Sequence, residues 1–149
     1  MIRTVQALAL VLGLASLLAA VPQSGRSPAP QGFTVLELRI DAGQGQLAGW
    51  QSEVRLRGAK LVGIEGGDSD AFRDAPRYDP RALKGGRVIL ASLAAGDRLP
   101  AGEIVVARIH VLVEDGAEMG FDIVGTETVR PDGREFVGRT RLALPGDKR

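Results

Sequence analysis

No cysteine occurs among the 149 residues. A disulfide framework, a thiolate metal site and a cysteine nucleophile are therefore excluded. Export is not, because a sandwich of this size reaches stability without disulfides. His110 is the only histidine, so neither a histidine dyad nor a multi-histidine metal centre can be assembled. Aromatic residues are scarce: one Trp, one Tyr and four Phe. A planar carbohydrate platform needs several exposed rings, and this inventory hardly supplies them. Charge of one sign is also lacking, with 19 Lys+Arg against 18 Asp+Glu. No net field favours nucleic acid or an anionic membrane. Few serines are present, and none sits in a G-x-S-x-G elbow. Glu37, Glu53, Glu114 and Glu127 fall at outward strand positions near arginines, where cross-strand charge pairs are ordinary. No two of them have environments that would separate an acid from a base. The sequence therefore predicts a protein that is not an enzyme.

What is present begins with an apolar N-terminus. Residues 1–21 carry Arg3 and then ALALVLGLASLLAAV from Ala7, the n-region and h-region of an export signal. The run is shorter than the roughly 20 residues a spanning helix prefers. Cleavage after Ala20 is one outcome; Leu18, where a small residue is wanted, leaves an uncleaved hydrophobic helix as the other. That segment is the sole membrane contact expected, and the mature chain is expected to be secreted, periplasmic or at the cell surface. Residues 22–32, rich in Pro, Ser and Gly, read as a spacer, and 145–149 as a tail.

Between them, residues 33–144 read as one all-β domain. Gly102 to Glu114 (GEIVVARIHVLVE) is the longest alternating run. Val105, Ala107, Ile109, Val111 and Val113 fall on an apolar side; Ile104, Val106, Arg108, His110, Leu112 and Glu114 on a mixed side. Phe33–Ile40 alternates as a half-buried strand, and Trp50–Arg57 directs Trp50, Val54 and Leu56 inward. Leu61–Ile64 is a short strand. Arg87–Leu93, mostly apolar, suits a strand covered on both sides. Met119–Val124 and Glu135–Leu144 supply two more strands, joined through the turn Arg130–Gly133. The pattern predicts an antiparallel β-sandwich.

Asp68 to Lys84 has no sustained period and reads as a long ordered loop pinned by Phe72 and Tyr78, with a helical turn at Pro80–Leu83. Its Asp68 and Asp70 are oxygen ligands that suit calcium, though turn capping and pairing with Arg73, Arg77 or Arg81 accounts for the same acids. No other cofactor is expected. On the central strand, Val106 and Leu112 with Arg108 and His110 make an apolar patch with a polar margin, the form of a protein-binding face. A salt-bridged, solvated sheet is the alternative reading of the arginine-rich outward positions. Tyr78 is the candidate ring for a sugar; Trp50 shares its side of the strand with Val54 and Leu56 and reads as core.

Leu47-Ala-Gly-Trp50, Val62-Gly-Ile-Glu-Gly-Gly67, Tyr78-Asp-Pro80, Gly86-Arg-Val-Ile-Leu-Ala91 and the long strand after Gly102 together resemble the cohesin-like modules of exported bacterial proteins. The resemblance covers roughly Thr34 to Leu144. It implies a jelly-roll sandwich related to cellulose-binding modules. It also implies a non-catalytic module that holds a dockerin-like or other exported protein through a flat sheet face, in assemblies that degrade polysaccharide. Binding to the polysaccharide itself is the alternative partner, and a purely structural surface role the third.

Overall fold

The computed structural model describes residues 31–147. The signal segment, the spacer up to Pro30 and the last two residues of the tail lie outside them. Eight strands follow in order: β1 (Gly32–Asp41), β2 (Gly49–Arg57), β3 (Ala59–Gly66), β4 (Arg87–Leu93), β5 (Glu103–Val113), β6 (Gly120–Val129), β7 (Glu135–Phe136) and β8 (Arg139–Ala143). They form two four-stranded antiparallel sheets. Sheet A has the order β3-β5-β1-β8 and sheet B the order β4-β2-β6-β7.

The core lies between the inner faces. Leu36, Leu38 and Ile40 of β1 enter it from sheet A; Trp50, Val54 and Leu56 of β2, with Val88 and Leu90 of β4, enter from sheet B. Each side chain of this size contributes roughly 1.5–3 kcal/mol when fully buried. Period-2 alternation is thus borne out in β1 and β2. It fails at three places where the ladder slips by one residue: between Leu38 and Arg39 opposite β5, between Leu61 and Gly63 on β3, and between Glu53 and Val54 opposite β6.

The first slip corrects the central strand. Leu38 pairs with Ala107 and Arg39 with Val105, so Val106 is the extra residue of a bulge. Ala107, Ile109, Val111 and Val113 face the core as expected, but beyond the bulge Val106 and Ile104 face it too. Val106, expected on the wet side, is 0% exposed.

Two further strands differ from expectation. β4 is an edge strand whose Ile89 and Leu93 are exposed, so only one of its faces is covered. The expected single strand from Glu135 to Leu144 is divided. β7 extends sheet B beside β6, and after Val137 and Gly138 the chain crosses to pair β8 with β1 in sheet A. A Cβ at Gly138 would stand 3.2 Å from Ile40 Cγ2, so the crossing hugs the core. Arg130 fixes the approach to it. Its guanidinium lies 3.6 Å above the Phe136 ring, and Nη1 donates to the carbonyls of Ala42 (3.2 Å) and Gln46 (3.3 Å).

The segment from Asp68 to Lys84 is ordered as expected. Single 3₁₀ turns form at Asp70–Phe72 and Pro80–Lys84, the second capped by the Asp79 carboxylate, which accepts from the Arg81 N–H at 2.9 Å. Phe72 is buried in the core and Tyr78 packs half-buried against it. The entry to this segment runs against β5: Gly67 donates to Phe72 O at 2.7 Å and Asp68 to Val105 O at 3.1 Å. Only glycine allows that approach, because a Cβ at Gly67 would lie 1.8 Å from Val105 O. Further along, Arg77 and Ala91 exchange backbone hydrogen bonds of 2.8 and 3.0 Å, which adds a one-residue rung to the free edge of β4.

Candidate functional site

Each sheet presents one outer face. On sheet A this face is dominated by a charged lattice. Glu37, only 6% exposed, is held by Arg39 on its own strand and has Arg108 at 3.7 Å. Arg39 and Arg141 converge on Glu103 at 3.2 and 2.9 Å. Arg108 also pairs with Asp68, and His110 Nε2 stands 3.2 Å from Glu65 Oε2. Beyond His110 the face turns apolar where Phe33 pairs with Leu112 and Val35 with His110.

The outer face of sheet B is ordered differently. The registers of β4, β2 and β6 place residues in transverse rungs. Leu93, Gly49 and Val129 form the first; Ala91, Gln51 and Glu127 the second. Ile89, Glu53 and Gly125 form the third; Arg87, Arg55 and Asp122 the fourth. The face therefore grades from apolar to charged along the strands. Ile89, Leu93 and Val124 are 43%, 81% and 49% exposed, large values for such side chains on one sheet surface. Their neighbours are small. A Cβ at Gly49 would come within 2.8 Å of Leu93 Cδ1, so the leucine lies across that glycine. At Gly125 a Cβ would meet nothing within 4 Å, and an open furrow runs there between Gln51, Glu53, Ile89, Val124 and Glu127.

No protein-family profile matches the chain, and no curated protein matches its sequence. Two solved structures match its shape. A non-cellulosomal cohesin from the hyperthermophilic archaeon Archaeoglobus fulgidus superposes with a TM-score of 0.53 at 12% identity, over 74% of this chain and 80% of the other. A cohesin module from the family 33 glycoside hydrolase of Clostridium perfringens gives 0.51 at 10% identity, over 74% of this chain and 96% of that one. The fold is cohesin-like.

Within this cohesin-like sandwich, the residues expected to form a binding face are separated. Arg108, His110 and Leu112 do share the outer face of sheet A. Val106 does not, so of the two apolar residues expected on that face only Leu112 remains there. Tyr78, half-buried against the core, and Trp50, 3% exposed, are not laid out as a flat pair of rings. Asp68 and Asp70 each turn to an arginine, Arg108 and Arg73. Among the described residues no group of three or more acids or histidines is placed to share a metal ion. Sequence reasoning missed Ile89, Leu93, Val124 and Gly125. The signal available is the apolar run Val88–Ala91 of β4, which by itself reads as burial on both sides.

Glu53 is the charged anchor of the sheet B face. It accepts from Arg87 Nε at 2.7 Å, Arg87 Nη2 at 2.8 Å and Arg55 Nε at 3.0 Å. Those bonds, Arg87 first, push its carboxyl down to about 2 against the opposing effect of burial. Backbone and arginine hydrogen bonds likewise lower Asp41 and Asp79, and arginine pairing lowers Glu103 and Asp122. A depressed folded-state carboxylate stabilises above its unfolded value of about 4.5 and loses that contribution as pH falls through the folded value. The thermal midpoint should therefore decline between about pH 4.5 and pH 2, and Glu53→Gln should make the decline shallower. An acid limb of unchanged slope in the variant would contradict the assignment. Trp50, the single buried tryptophan, provides the fluorescence readout.

Proposed function

We propose that this chain is an exported, non-catalytic recognition module that binds a partner protein through the outer face of sheet B. The observation that carries this reading is the pair of exposed apolar side chains, Ile89 and Val124, at the furrow over Gly125, with exposed Leu93 further along the same face. Exposed apolar side chains beside charged ones on one sheet surface suit a protein interface. The cohesin-like fold supports the same reading, since both solved neighbours are cohesins. The non-catalytic part rests on inventory: the carboxylates near the furrow are either engaged by arginine, as Glu53 is, or lack a basic partner, as Glu127 does. A dockerin-like partner in a polysaccharide-degrading assembly is the specific form proposed.

The test is a variant that fills the furrow without disturbing the core. Gly125 has ordinary strand geometry and open space at its Cβ, so Gly125→Leu should fold and melt within a few degrees of the parent. Capture of a partner from the exported protein fraction should fall at least tenfold, while Leu112→Asp, on the opposite sheet, should leave it intact. Capture that survives Gly125→Leu but is lost with Leu112→Asp would move the site to sheet A. Retention on insoluble polysaccharide, lost only with Tyr78→Ala, would replace the protein reading by a carbohydrate one.

A further inference from the structure

The second rung of the sheet B face is longer than the strand ladder alone makes it. Arg77 pairs with Ala91 through two backbone hydrogen bonds, Ala91 pairs with Gln51, and Gln51 with Glu127. Directly opposed residues in antiparallel pairs project to the same side of a sheet. Arg77, Ala91, Gln51 and Glu127 therefore form one transverse row on the proposed recognition face. Three strand spacings separate its ends, so the Cα atoms of Arg77 and Glu127 stand roughly 14 Å apart.

Both ends are exposed. Neither makes an ion pair with another described residue, although most arginines on this molecule do: Arg39, Arg55, Arg57, Arg73, Arg81, Arg87 and Arg108 among them. Asp74 lines the same hollow as Arg77 without coming into ion-pair range of it. Between the two charges lie only a methyl group and an amide. Apolar residues flank the row on either side, Leu93 and Val129 along one and Ile89 and Val124 along the other.

We infer that this row reads the polarity of the partner. Resting on the proposed function of this face, the inference specifies a protein segment that crosses the strands. Its apolar side chains settle around Ile89, Val124 and Leu93, with an acidic group at the Arg77 end and a basic group at the Glu127 end. Charges without partners on the free surface lose no existing ion pair when a partner engages them. Opposite polarity in the partner would place like charges together at both ends, so the row selects one orientation.

A displayed library of random 25-residue segments supplies the probe, with three baits: the parent domain, Gly125→Leu, and the double variant Arg77→Glu/Glu127→Arg. The double variant keeps the net charge and alters exposed side chains only, and its melting temperature confirms that it is folded. Segments selected on the parent and lost on Gly125→Leu should carry an acidic and a basic group separated by apolar residues. They should bind the double variant at least tenfold more weakly and recover when their own two charges are exchanged. Gly125-dependent segments whose binding changes less than twofold on the double variant would overturn the polarity reading while leaving the recognition face in place. Recovery of no Gly125-dependent segment would overturn both.

Discussion

Val106→Asp should unfold the domain. The side chain is 0% exposed and packs in the apolar core shared by both sheets. An unpaired carboxylate there is protonated or solvated only by opening the sandwich, at a cost of about 4–5 kcal/mol or more. Domains of this kind hold only about 5–15 kcal/mol in total. Trp50 emission should shift to that of exposed tryptophan, and strand circular dichroism should be lost at ordinary temperature. Leu112→Asp, placed half-exposed on the outer face of the same sheet, should stay folded. The contrast is the informative result. A folded Val106→Asp with a melting point near that of the parent would restore unbroken alternation along β5 and return Val106 to the surface.

The second large effect belongs to Gly67. A methyl group there would lie 1.8 Å from Val105 O and 2.8 Å from Val106 Cα, both backbone atoms of the central strand. Backbone cannot rotate aside as a side chain does, so the segment must lift away from β5. Lifting breaks the bonds from Gly67 to Phe72 O and from Asp68 to Val105 O, and it loosens the seat of Phe72. Gly67→Ala should therefore cost about 3 kcal/mol or more. Urea midpoints should fall accordingly, and an arginine-specific protease should cut faster at exposed Arg73, Arg77 and Arg81. Gly125→Ala is the control, since its Cβ meets nothing within 4 Å. Equal midpoints and equal cleavage in Gly67→Ala and the parent would show that the close approach is not needed.

These two residues also mark how far the sequence could be read. Strand existence was legible wherever alternation persisted, as in Leu36, Leu38 and Ile40 or Trp50, Val54 and Leu56. Phe72 and the turn at Pro80 were legible from local chemistry, and the cohesin-like fold from the order of strands and glycines. What alternation cannot register is a one-residue slip. The bulge at Val106 reverses the facing of every residue on its far side, and nothing in I-V-V-A-R distinguishes that from a regular strand. The same blindness affected β4. A continuous apolar run describes a doubly covered strand and an edge strand with a binding surface equally well, and only the neighbours decide. Glu135 to Leu144 reads as one strand because nothing in its composition marks Val137 and Gly138, where the chain changes sheets.

The pairing of β1 with β8 has a mechanical consequence. Glu37 opposes Ala143 and Asp41 opposes Arg139, so the start of β1 and the end of β8 lie toward the same end of sheet A. Tension applied through residues 31 and 147 would load this pair as a zipper is loaded, one rung at a time beginning at Ala143. β8 lies at the edge of its sheet and has only five such rungs. Under load the module would peel from its C-terminal strand, while the sheet B face, its ladders lying elsewhere, would be the last part to feel the pull.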